Sequence, residues 1–379
     1  MNEATRHKHQ EISRHLLTEI AAGKFAGTGR LPSELQLVKQ FKVSRPTVAR
    51  ALRDLTENGI IERRAGSGSY LSNKTGAPAA SRQIGLLIPG LGTTEIFEII
   101  CGELAGLARQ SEYTLLWGGS SHPRLDQDGS RDHAREICEQ FIERNVTGVF
   151  FAPFELTVGK DEINRYISDR FIEAGIPVVL LDRDLAPFPH SGNFDVVGLD
   201  NVAGGYLIAD HLIRLGCQRI GFVNRPLSAP TVERRIAGAR EALEHHKMEV
   251  YPNWIQNGDP QEEKFVCSVM AGKRWDALIC ANDLTAAQLV RTLEKNRFKV
   301  PHDVRVVGFD DAKYATLVSV PLTTIQQPCR EIALVAFQTM LSRIANPTLP
   351  PRNIQLPPRL VVRESCGAYL PRRASASKR

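Results

Sequence analysis

Residues 31–70 carry helix and hairpin signals in an order that constrains the fold more than any other feature of the chain. The segment Leu31-Pro32-Ser33-Glu34 is a helix start, because its serine can cap the first turn and its glutamate is favoured by the helix dipole. A turn follows at Phe41-Lys42-Val43, and Ser44 caps a second helix. The sequence Gly66-Ser67-Gly68-Ser69 then marks the tip of a β-hairpin. Two short helices followed by a hairpin predict a winged helix-turn-helix.

The second of these helices is the predicted recognition helix, because the N-terminal residues of such a helix reach base edges in the major groove. We expect it to turn Arg45, Thr47 and Arg50 outward and its apolar residues inward. Arg45 has the fork of donors that pairs with a guanine. The residues predicted to contact double-stranded DNA are Ser33, Ser44, Arg45, Thr47, Arg50, Arg63, Arg64, Gly66, Ser67 and Gly68. The alternative is that the arginines are ordinary surface residues and that the glycines form an ordinary hairpin turn.

Apolar periodicity adds two expectations for the N-terminal domain. Apolar residues recur every four positions over residues 8–22 and predict an amphipathic helix that ends at Gly23. In the helix that begins after Ser33, the residues expected to face the core are Leu35, Val38 and Phe41.

Positive charge is concentrated at the two ends of the chain. The 379 residues have a net charge of +6, and residues 1–76 hold 13 Lys and Arg against 7 Asp and Glu. Residues 371–379 add four bases and no acid, so residues 77–370 are near −4. A basic head on a neutral to acidic body fits a domain that binds the phosphate backbone of DNA. A solvated basic surface explains the charge equally well, and the motif decides between the two.

The order LPSE-x-x-L-x-x-x-F-x-VSR-x-TV-x-x-AL, closed by R-x-G-S-G-S-Y, resembles the GntR-type winged helix over residues 8–72. The resemblance implies that this domain binds operator DNA. Two positions depart from the family's pattern. Leu35 stands where the family commonly has arginine. Ala49 stands where the family usually has another arginine, and Arg50 lies one position on, about 100° further round the helix. These departures concern the operator sequence more than the act of binding DNA.

Residues 72–81 are small and polar, and they predict a flexible linker. Beyond them, short apolar runs alternate with helical stretches over residues 133–144, 164–174, 202–215, 233–246 and 284–297. The predicted strands are Ile84–Ile88, Thr114–Trp117, Gly148–Ala152, Val178–Leu181, Val196–Leu199, Ile220–Val223, Ala277–Cys280 and Val304–Gly308. This alternation predicts an α/β body of two lobes, each a parallel sheet with helices on both faces, and a cleft between them. The predicted parts are a winged helix-turn-helix domain (1–72), a linker (73–82), a two-lobed sensing and dimerisation body (83–368) and a basic disordered tail (369–379).

Polar residues follow several of the predicted strands, where ligands bind in open α/β sheets. Four pairs, Asp182-Arg183, Asp200-Asn201, Asn282-Asp283 and Asp310-Asp311, follow predicted strands, and Gln326-Gln327 follows the segment Leu322-Thr323-Thr324-Ile325. Carboxylates accept hydrogen bonds and amides both donate and accept, so the set suits the hydroxyl groups of a sugar. Helix capping is the alternative, because Asp and Asn often cap the helix after a strand. Capping and ligand contact are equal alternatives for Asn201 and Asp283, whereas ligand contact is favoured for Asp310.

The segments PVVLLDRD, VVGLDN, ALICANDLTA, VPHDVRVVGFDD and PLTTIQQP resemble the effector domain of LacI/GalR-type regulators over residues 83–365. The resemblance implies a type I periplasmic-binding-protein fold whose lobes close on a small ligand, usually a sugar. The family's ligand contacts correspond to Arg235, Asn282 and Asp310, and Asp182 and Gln327 match positions that often line the pocket. The full predicted ligand set is Phe97, Asp182, Arg183, Arg235, Asn282, Asp310 and Gln327. For Phe97, which lies in a segment that departs from the family (91–97), stacking on a sugar and packing in the core are equal alternatives.

A GntR-type head on a LacI-type body is the arrangement of the arabinose-repressor group, so the resemblance implies a sugar-responsive transcription factor, in the first place a repressor. A homodimer is expected, because the effector family pairs through its lobes and DNA half-sites lie roughly 34 Å apart. Whether the sugar releases or promotes DNA binding is left open. The alternative function is a solute-binding protein of a sugar transporter, against which the head and the polar start MNEATRHKHQEISRHLL argue.

An enzyme is not expected, because the sequence has no G-x-S-x-G, H-E-x-x-H or P-loop motif. No apolar run approaches the roughly 18 residues of a membrane span. We therefore expect the protein in the cytoplasm and without a membrane contact. The seven cysteines lack a C-x-x-C spacing and are expected to be small buried hydrophobes, so neither a metal nor a cofactor is predicted.

Overall fold

The computed structural model describes residues 3–21, 24–25, 29–57, 60–64, 68–71, 82–89, 95–118, 127–271 and 275–370. The chain divides into two compact units, Met1–Arg82 and Gln83–Arg379. The predicted fold class is confirmed: a small helical head with a two-stranded wing, and an α/β body with two parallel sheets. Gly23, most of the predicted linker and the tail from residue 371 lie outside the described residues, so the four domain limits stay predictions. Among the described helices, none combines the length and the apolar character that crossing a bilayer requires.

Within its described residues, the head contains three helices and a hairpin. They are α1 Glu3–Ala21, α2 Glu34–Phe41, α3 Arg45–Glu57, β1 Ile61–Arg64 and β2 Gly68–Leu71. The strands β1 and β2 are antiparallel, with Ile61 opposite Leu71 and Arg64 opposite Gly68. The core of the head is made of the apolar residues Ile12, Leu16, Leu31, Leu37, Val48, Ala51, Leu52, Leu55, Ile60 and Ile61.

Helix α2 begins as predicted but presents a different face to the core. Ser33 caps it, since its hydroxyl accepts the N–H of Gln36 and the Gln36 side chain accepts the N–H of Ser33. The prediction that Leu35 faces inward is wrong, because its residue surface is 62% exposed and Leu37 is buried instead. Two residues correspond to about 200° around a helix, so Leu35 and Leu37 cannot share a face. Val38 and Phe41 pack against the core as expected.

The first lobe, called the N-lobe, has a six-stranded sheet of order β13-β7-β6-β5-β3-β4, and all its neighbouring strands are parallel. Its elements are β3 Gln83–Leu87, α4 Glu95–Gln110, β4 Thr114–Gly118, α5 Gln127–Glu143, β5 Gly148–Phe151, α6 Lys160–Glu173, β6 Val178–Leu181, β7 Asp195–Leu199, α12 Cys329–Ala345 and β13 Asn353–Leu356. Two apolar clusters lie on opposite sides of this sheet. The helices α4 and α12 contribute to one, and α5 and α6 contribute to the other.

The second lobe, called the C-lobe, has the sheet order β14-β12-β11-β10-β8-β9, in which only β14 is antiparallel. Its elements are α7 Asn201–Arg214, β8 Ile220–Asn224, α8 Pro230–His245, β9 Ile255–Asn257, α9 Glu263–Met270, β10 Ala277–Cys280, α10 Asp283–Lys295, β11 Arg305–Asp310, α11 Tyr314–Leu317, β12 Thr323–Gln326 and β14 Arg359–Val361. One large apolar cluster forms its core. Six cysteines are buried as predicted, but Cys267 is exposed, because it lies on the outer side of α9.

The chain passes between the lobes at three crossovers. The first joins β7 to α7 at residues 199–201, the second joins β12 to α12 at residues 326–329, and the third joins β13 to β14 at residues 356–359. The eight strands predicted from the sequence are all present, whereas β9, β12, β13 and β14 were not predicted. The carboxyl ends of the parallel strands in both lobes lie beside these crossovers, and this places the candidate site.

Two glycines let the first helices of the C-lobe pack closely. A methyl group at Gly205 of α7 would collide with the carbonyl oxygen of Arg235, and one at Gly238 of α8 would collide with that of Val202. The backbones of α7 and α8 therefore lie nearer than any side chain would allow. This close packing sets the position of Arg235, which begins the second turn of α8.

Candidate functional site

In the head, one glutamate holds two of the arginines predicted to contact DNA. Nε of Arg45, the first residue of α3, donates to Oε2 of Glu34 at 3.2 Å. Nη2 of Arg63, on β1, donates to the other carboxylate oxygen of Glu34. Both arginine side chains remain exposed, Arg45 by 75% and Arg63 by 44%. Each guanidinium has five N–H donors, so further donors remain for a phosphate or a base. Glu34 thus places a basic side chain of the recognition helix beside one of the wing.

Thr47 does not point outward, and that prediction is wrong. Only 7% of the residue is exposed, and its hydroxyl lies 2.7 Å from that of Ser44. Ser44 directly precedes α3, and a residue three positions further on lies over the start of its helix, as in a capping pair. The Thr47 hydroxyl therefore pairs locally. Arg50 is exposed, as expected.

The wing is described in part. Gly68 begins β2 with a φ of 119°, a conformation that residues with a Cβ rarely adopt. Gly66, Ser67 and the side chain of Arg64 lie outside the described residues, so their contacts stay predictions. Beside the wing, Arg30 forms a β-bridge with Tyr70, and its guanidinium lies 5.9 Å from the centroid of that ring. The sequence analysis missed this third backbone segment, for which no apolar alternation gave a signal.

In the body, two aspartates lie at strand ends in opposite lobes. Asp182 follows β6 of the N-lobe with a φ of 70°, and Asp310 ends β11 of the C-lobe with a φ of 106°. Positive φ values are uncommon outside glycine, and such backbone strain is concentrated at functional sites. Both carboxyl groups interact electrostatically with Glu155, Arg183 and Arg235. The predicted cleft between the lobes therefore has a buried, charged interior.

Arg235 is the cation on the C-lobe side of this cluster. Its Nε donates to Oδ1 of Asn201 at 2.7 Å, and its Nη1 donates to the carbonyl oxygen of Ala281. Its Nη2 lies 3.6 Å from Oδ1 of Asp310. The guanidinium also lies 4.4 Å from the centroid of the Phe309 ring. These contacts hold the side chain in one place, so Arg235 can orient the Asp310 carboxylate.

Gln327 brings the second crossover into the site. Its Nε2 donates to Oδ1 of Asp310 at 2.8 Å, and only 4% of the residue is exposed. Because residue 327 lies where the chain returns to the N-lobe, the Asp310 carboxylate contacts a segment whose direction depends on how the lobes are arranged. The structure thus brings together five of the predicted ligand residues, which are Asp182, Arg183, Arg235, Asp310 and Gln327.

Arg183 is the cation on the N-lobe side. Its Nη1 forms an ion pair with Oε1 of Glu155, and its Nε lies 3.4 Å from Oδ2 of Asp182. Sequence reasoning missed Glu155, although this residue follows shortly after β5 and so carried the same strand-end signal. Phe97 lies under the Arg183 guanidinium, 5.4 Å from it, and is 2% exposed in the N-lobe core. The structure therefore shows the packing alternative for Phe97 and no open face for a sugar.

Burial dominates the protonation of the cleft carboxyl groups. Desolvation raises the pKa of Asp182, and the neighbouring Arg183 opposes this effect. Desolvation also raises the pKa of Asp310, here opposed by Arg235. Asp283, which interacts with Asp310, is fully buried, and desolvation raises its pKa well above the ordinary value. Carboxyl groups in such surroundings gain from a ligand that donates hydrogen bonds to them.

Other polar residues at the strand ends have structural partners. Oδ1 of Asn282 accepts an N–H at the start of α10 and caps that helix, which leaves the NH₂ group of Asn282 for its predicted ligand contact. Asp200 caps α7 in the same way. Asn201 is occupied by Arg235. Asp283 accepts two hydrogen bonds within the C-lobe, so neither of the two predicted alternatives, helix capping and ligand contact, describes it.

Hydrogen bonds also join the two lobes across the cleft. On one side, the N–H of Leu156 donates to the carbonyl oxygen of Leu227 at 2.8 Å, and the N–H of Ala229 donates to Oε2 of Glu155 at 3.2 Å. On the other side, the N–H of Lys313 donates to Oε2 of Glu95. A ligand that favours this arrangement of the lobes gains from the same bonds.

Comparison with known proteins agrees with this geometry. Residues 8–71 match the model of the bacterial regulatory proteins of the gntR family. Residues 209–366 match the periplasmic binding protein-like domain. The chain is therefore a DNA-binding transcriptional regulator that joins a GntR-type winged helix to a LacI/GalR-type body.

Among its relatives are two arabinose metabolism transcriptional repressors. The one from Geobacillus stearothermophilus is 27% identical over 375 residues, which cover 96% of this chain and 99% of the relative. The one from Halalkalibacterium halodurans is 26% identical over 377 residues, covering 94% and 96%. A solved structure described as the transcriptional regulator CelR-cellobiose complex has a TM-score of 0.64 and 21% identity, and covers 85% of this chain and 91% of that one. These relatives are transcriptional regulators, not enzymes.

Proposed function

We propose that the protein is a repressor of sugar-use genes whose affinity for its operator is lowered by a small sugar. The observation that carries the proposal is the buried cluster in which Asp182 and Arg183 of the N-lobe meet Arg235 and Asp310 of the C-lobe, on a chain with a GntR-type head. The arabinose repressors among the relatives support a sugar as the effector. A transporter's solute-binding protein has no use for such a head and is not favoured.

The mechanism we propose is a change in lobe arrangement. A sugar that bridges Asp182 and Asp310 stabilises one arrangement of the lobes, and the three crossovers transmit the change to the rest of the body. Operator affinity then changes by the coupling free energy, typically about 1–3 kcal/mol. On this proposal Arg45, Arg50 and Arg63 contact the operator, with the wing residues Arg64, Gly66, Ser67 and Gly68, and the protein works in the cytoplasm, where the DNA is.

We also propose a homodimer, in which a second copy of the chain covers an apolar surface of the N-lobe. Trp117 lies on the edge strand β4 and Ile99 lies on α4, and both side chains are exposed. Two copies would present two heads to the two half-sites of an operator. Sedimentation analysis tests this state, and Trp117→Glu should convert dimer to monomer. A wild-type monomer at micromolar concentration would contradict the proposal.

The effector is tested in two steps. Thermal unfolding of the full chain is measured with L-arabinose and a panel of other pentoses, hexoses and short oligosaccharides, because a ligand of the folded state raises the melting temperature. A labelled duplex, selected by the protein from a random library, is then titrated with and without the stabilising sugar. Release of the duplex supports the proposal, tighter binding makes the sugar a co-repressor, and silence across the panel contradicts a sugar effector.

Asp310→Ala is the matching variant. We expect it to abolish the response to the sugar and to leave DNA binding unchanged, since Asp310 belongs to the body. Asp169→Ala removes an exposed aspartate from α6 and serves as the control. An intact sugar response in the Asp310 variant would remove this residue from the effector site.

A further inference from the structure

Three buried oxygen acceptors lie at strand ends on the cleft side of the lobes. Asp182 Oδ1, Gln327 Oε1 and Asn224 Oδ1 have no hydrogen-bond donor among the residues that the structure describes. Asp182 is 7% exposed and Gln327 is 4% exposed, so both atoms are also removed from bulk solvent. Asn224 ends β8, at the same edge of the C-lobe sheet as Asp310. A buried acceptor without a donor is costly, so this surface is complementary to a ligand that donates hydrogen bonds.

Each of the two cations of the cleft lies against a carboxylate that balances its charge, although Nε and Nη1 of Arg183 form no hydrogen bond of ordinary geometry within the described residues. Arg183 faces Glu155 and Asp182, while Arg235 faces Asp310. With all groups ionised, these residues comprise three carboxylates and two guanidinium groups. The charged group of an anionic ligand would meet a cluster with one excess negative charge and with acceptors that this group cannot satisfy.

From this arrangement we infer that Glu155 sets the charge selectivity of the cleft, which takes an uncharged polyhydroxylated ligand and excludes its carboxylated and phosphorylated derivatives. The inference rests on the proposed sugar effector and narrows its chemical class. Hydroxyl groups donate to the free acceptors, whereas carboxylate and phosphate groups bring only acceptors. The carboxylate of Glu155 is decisive, because it neutralises the guanidinium that would otherwise attract an anion.

Glu155 has a second contact, which the test must separate from its charge. Its Oε2 accepts the N–H of Ala229 in the opposite lobe at 3.2 Å. Glu155→Gln keeps one oxygen that can accept this bond, removes the charge and replaces the oxygen that faces Arg183 with an NH₂ group. Glu155→Ala removes both the charge and this bond. Glu162→Gln is the matched control, since Glu162 is an exposed glutamate of the same lobe whose side chain pairs with Arg135 at the surface.

The experiment is calorimetric titration of the full-length wild type and the three variants. The neutral probes are L-arabinose, D-ribose, D-glucose and D-galactose, and the anionic probes are D-glucuronate, D-galacturonate, ribose phosphate and glucose phosphate. The wild type should bind at least one neutral probe. No anionic probe should bind the wild type more tightly than that neutral probe does. Glu155→Gln should shift the neutral-to-anion affinity ratio towards anions by about tenfold or more, the scale of charge effects at buried sites. Glu162→Gln should leave the ratio unchanged.

The outcomes separate the inference from the function on which it rests. If an anionic probe binds the wild-type protein more tightly than every neutral probe and releases DNA, the proposed effector site is supported and the inference is overturned. An unchanged neutral-to-anion affinity ratio in a folded Glu155→Gln variant also overturns the inference. If this ratio shifts in Glu155→Ala but not in Glu155→Gln, the inference is overturned as well, because the contact between the lobes would then be responsible. Failure of every probe to bind the wild type overturns both proposals. If the variants do not fold, the wild-type ranking of neutral and anionic probes decides alone.

Discussion

Replacing Asp195 should destabilise the body more than any exposed charge change, because this carboxylate is fully buried at the start of β7. Its Oδ2 accepts from Nε of Arg343 at 2.9 Å, and its Oδ1 accepts from Nη2 of Arg343 at 3.1 Å and from the backbone N–H of Arg352 at 2.9 Å. These contacts fasten α12 and the segment before β13 to the N-lobe sheet. Asp195→Ala leaves the Arg343 guanidinium, which is itself mostly buried, without its counter-ion.

Removing one partner of a buried ion pair lowers the free energy of unfolding by about 3–5 kcal/mol. Arg343 keeps its hydrogen bonds to the carbonyl oxygens of Pro347 and Pro350, so we expect the lower part of this range. The control Asp161→Ala removes a carboxylate whose side chain is highly exposed beside Lys160. Exposed pairs of this kind contribute about 0–1 kcal/mol.

Urea unfolding followed by tryptophan fluorescence measures both variants. The three tryptophans of the chain, Trp117, Trp254 and Trp275, all lie in the body, so the signal reports the unfolding of the body alone. A loss below about 1 kcal/mol in Asp195→Ala, equal to that of an exposed pair, would refute the argument that this ion pair fastens α12 and β13.

The pH dependence provides a second readout of the same residue. Although desolvation raises it, hydrogen bonds from Arg343 and Arg352 lower the pKa of Asp195 on balance. The stabilisation is therefore fully present above the unfolded pKa of about 3.9 and is lost as the pH falls through the lower folded value. Asp195→Asn should lack this part of the acid sensitivity. An unchanged acid limb would contradict the assignment.

Three further predictions concern the head and the cleft. Arg45→Ala should weaken operator binding by about 1–3 kcal/mol and relax base preference at one position, as measured by fluorescence anisotropy; unchanged binding would remove Arg45 from the reading role. Leu37→Ala should lower the free energy of unfolding of the head by about 2–5 kcal/mol, whereas Leu35→Ala, at an exposed position, should change it by no more than about 0.5 kcal/mol. Equal losses of stability in circular dichroism melts would contradict the observed face of α2. Asp182→Asn should stabilise the ligand-free body at neutral pH while reducing sugar affinity, because a raised carboxyl pKa means that ionisation opposes folding there; a lower melting temperature would contradict this.

The fold could be predicted because both of its parts depend on local patterns. The eight strands with continuous apolar runs were recognisable, since strands buried on both faces have such runs. The strands β13 and β14 were not, because neither contains a buried residue and each is defined by pairing with a distant strand, β7 or β12. Thr47 was placed wrongly because helical phase alone does not account for a hydroxyl pair with Ser44.

The site was predictable by position but not by role. Asp182, Arg183, Arg235, Asp310 and Gln327 were recognised as polar residues after strands or at a helix start, and the structure brings them together. The sequence could not distinguish a helix cap from a residue that holds an arginine, because that choice depends on a partner on another helix. Asn282 and Asn201 illustrate the two outcomes.

Because of the three crossovers, neither lobe can be exchanged as one continuous segment of the chain, whereas the head can. Residues 1–82 are contiguous, so a single gene fusion can attach or exchange the complete head. Neither lobe is contiguous, because the N-lobe needs α12 and β13 from beyond residue 328 and the C-lobe needs β14 after that. A single fusion point inside the body therefore cannot exchange one complete lobe and leave the other lobe complete. One fusion point can therefore combine a complete head with a complete body, whereas combining lobes from two different bodies needs several fusion points.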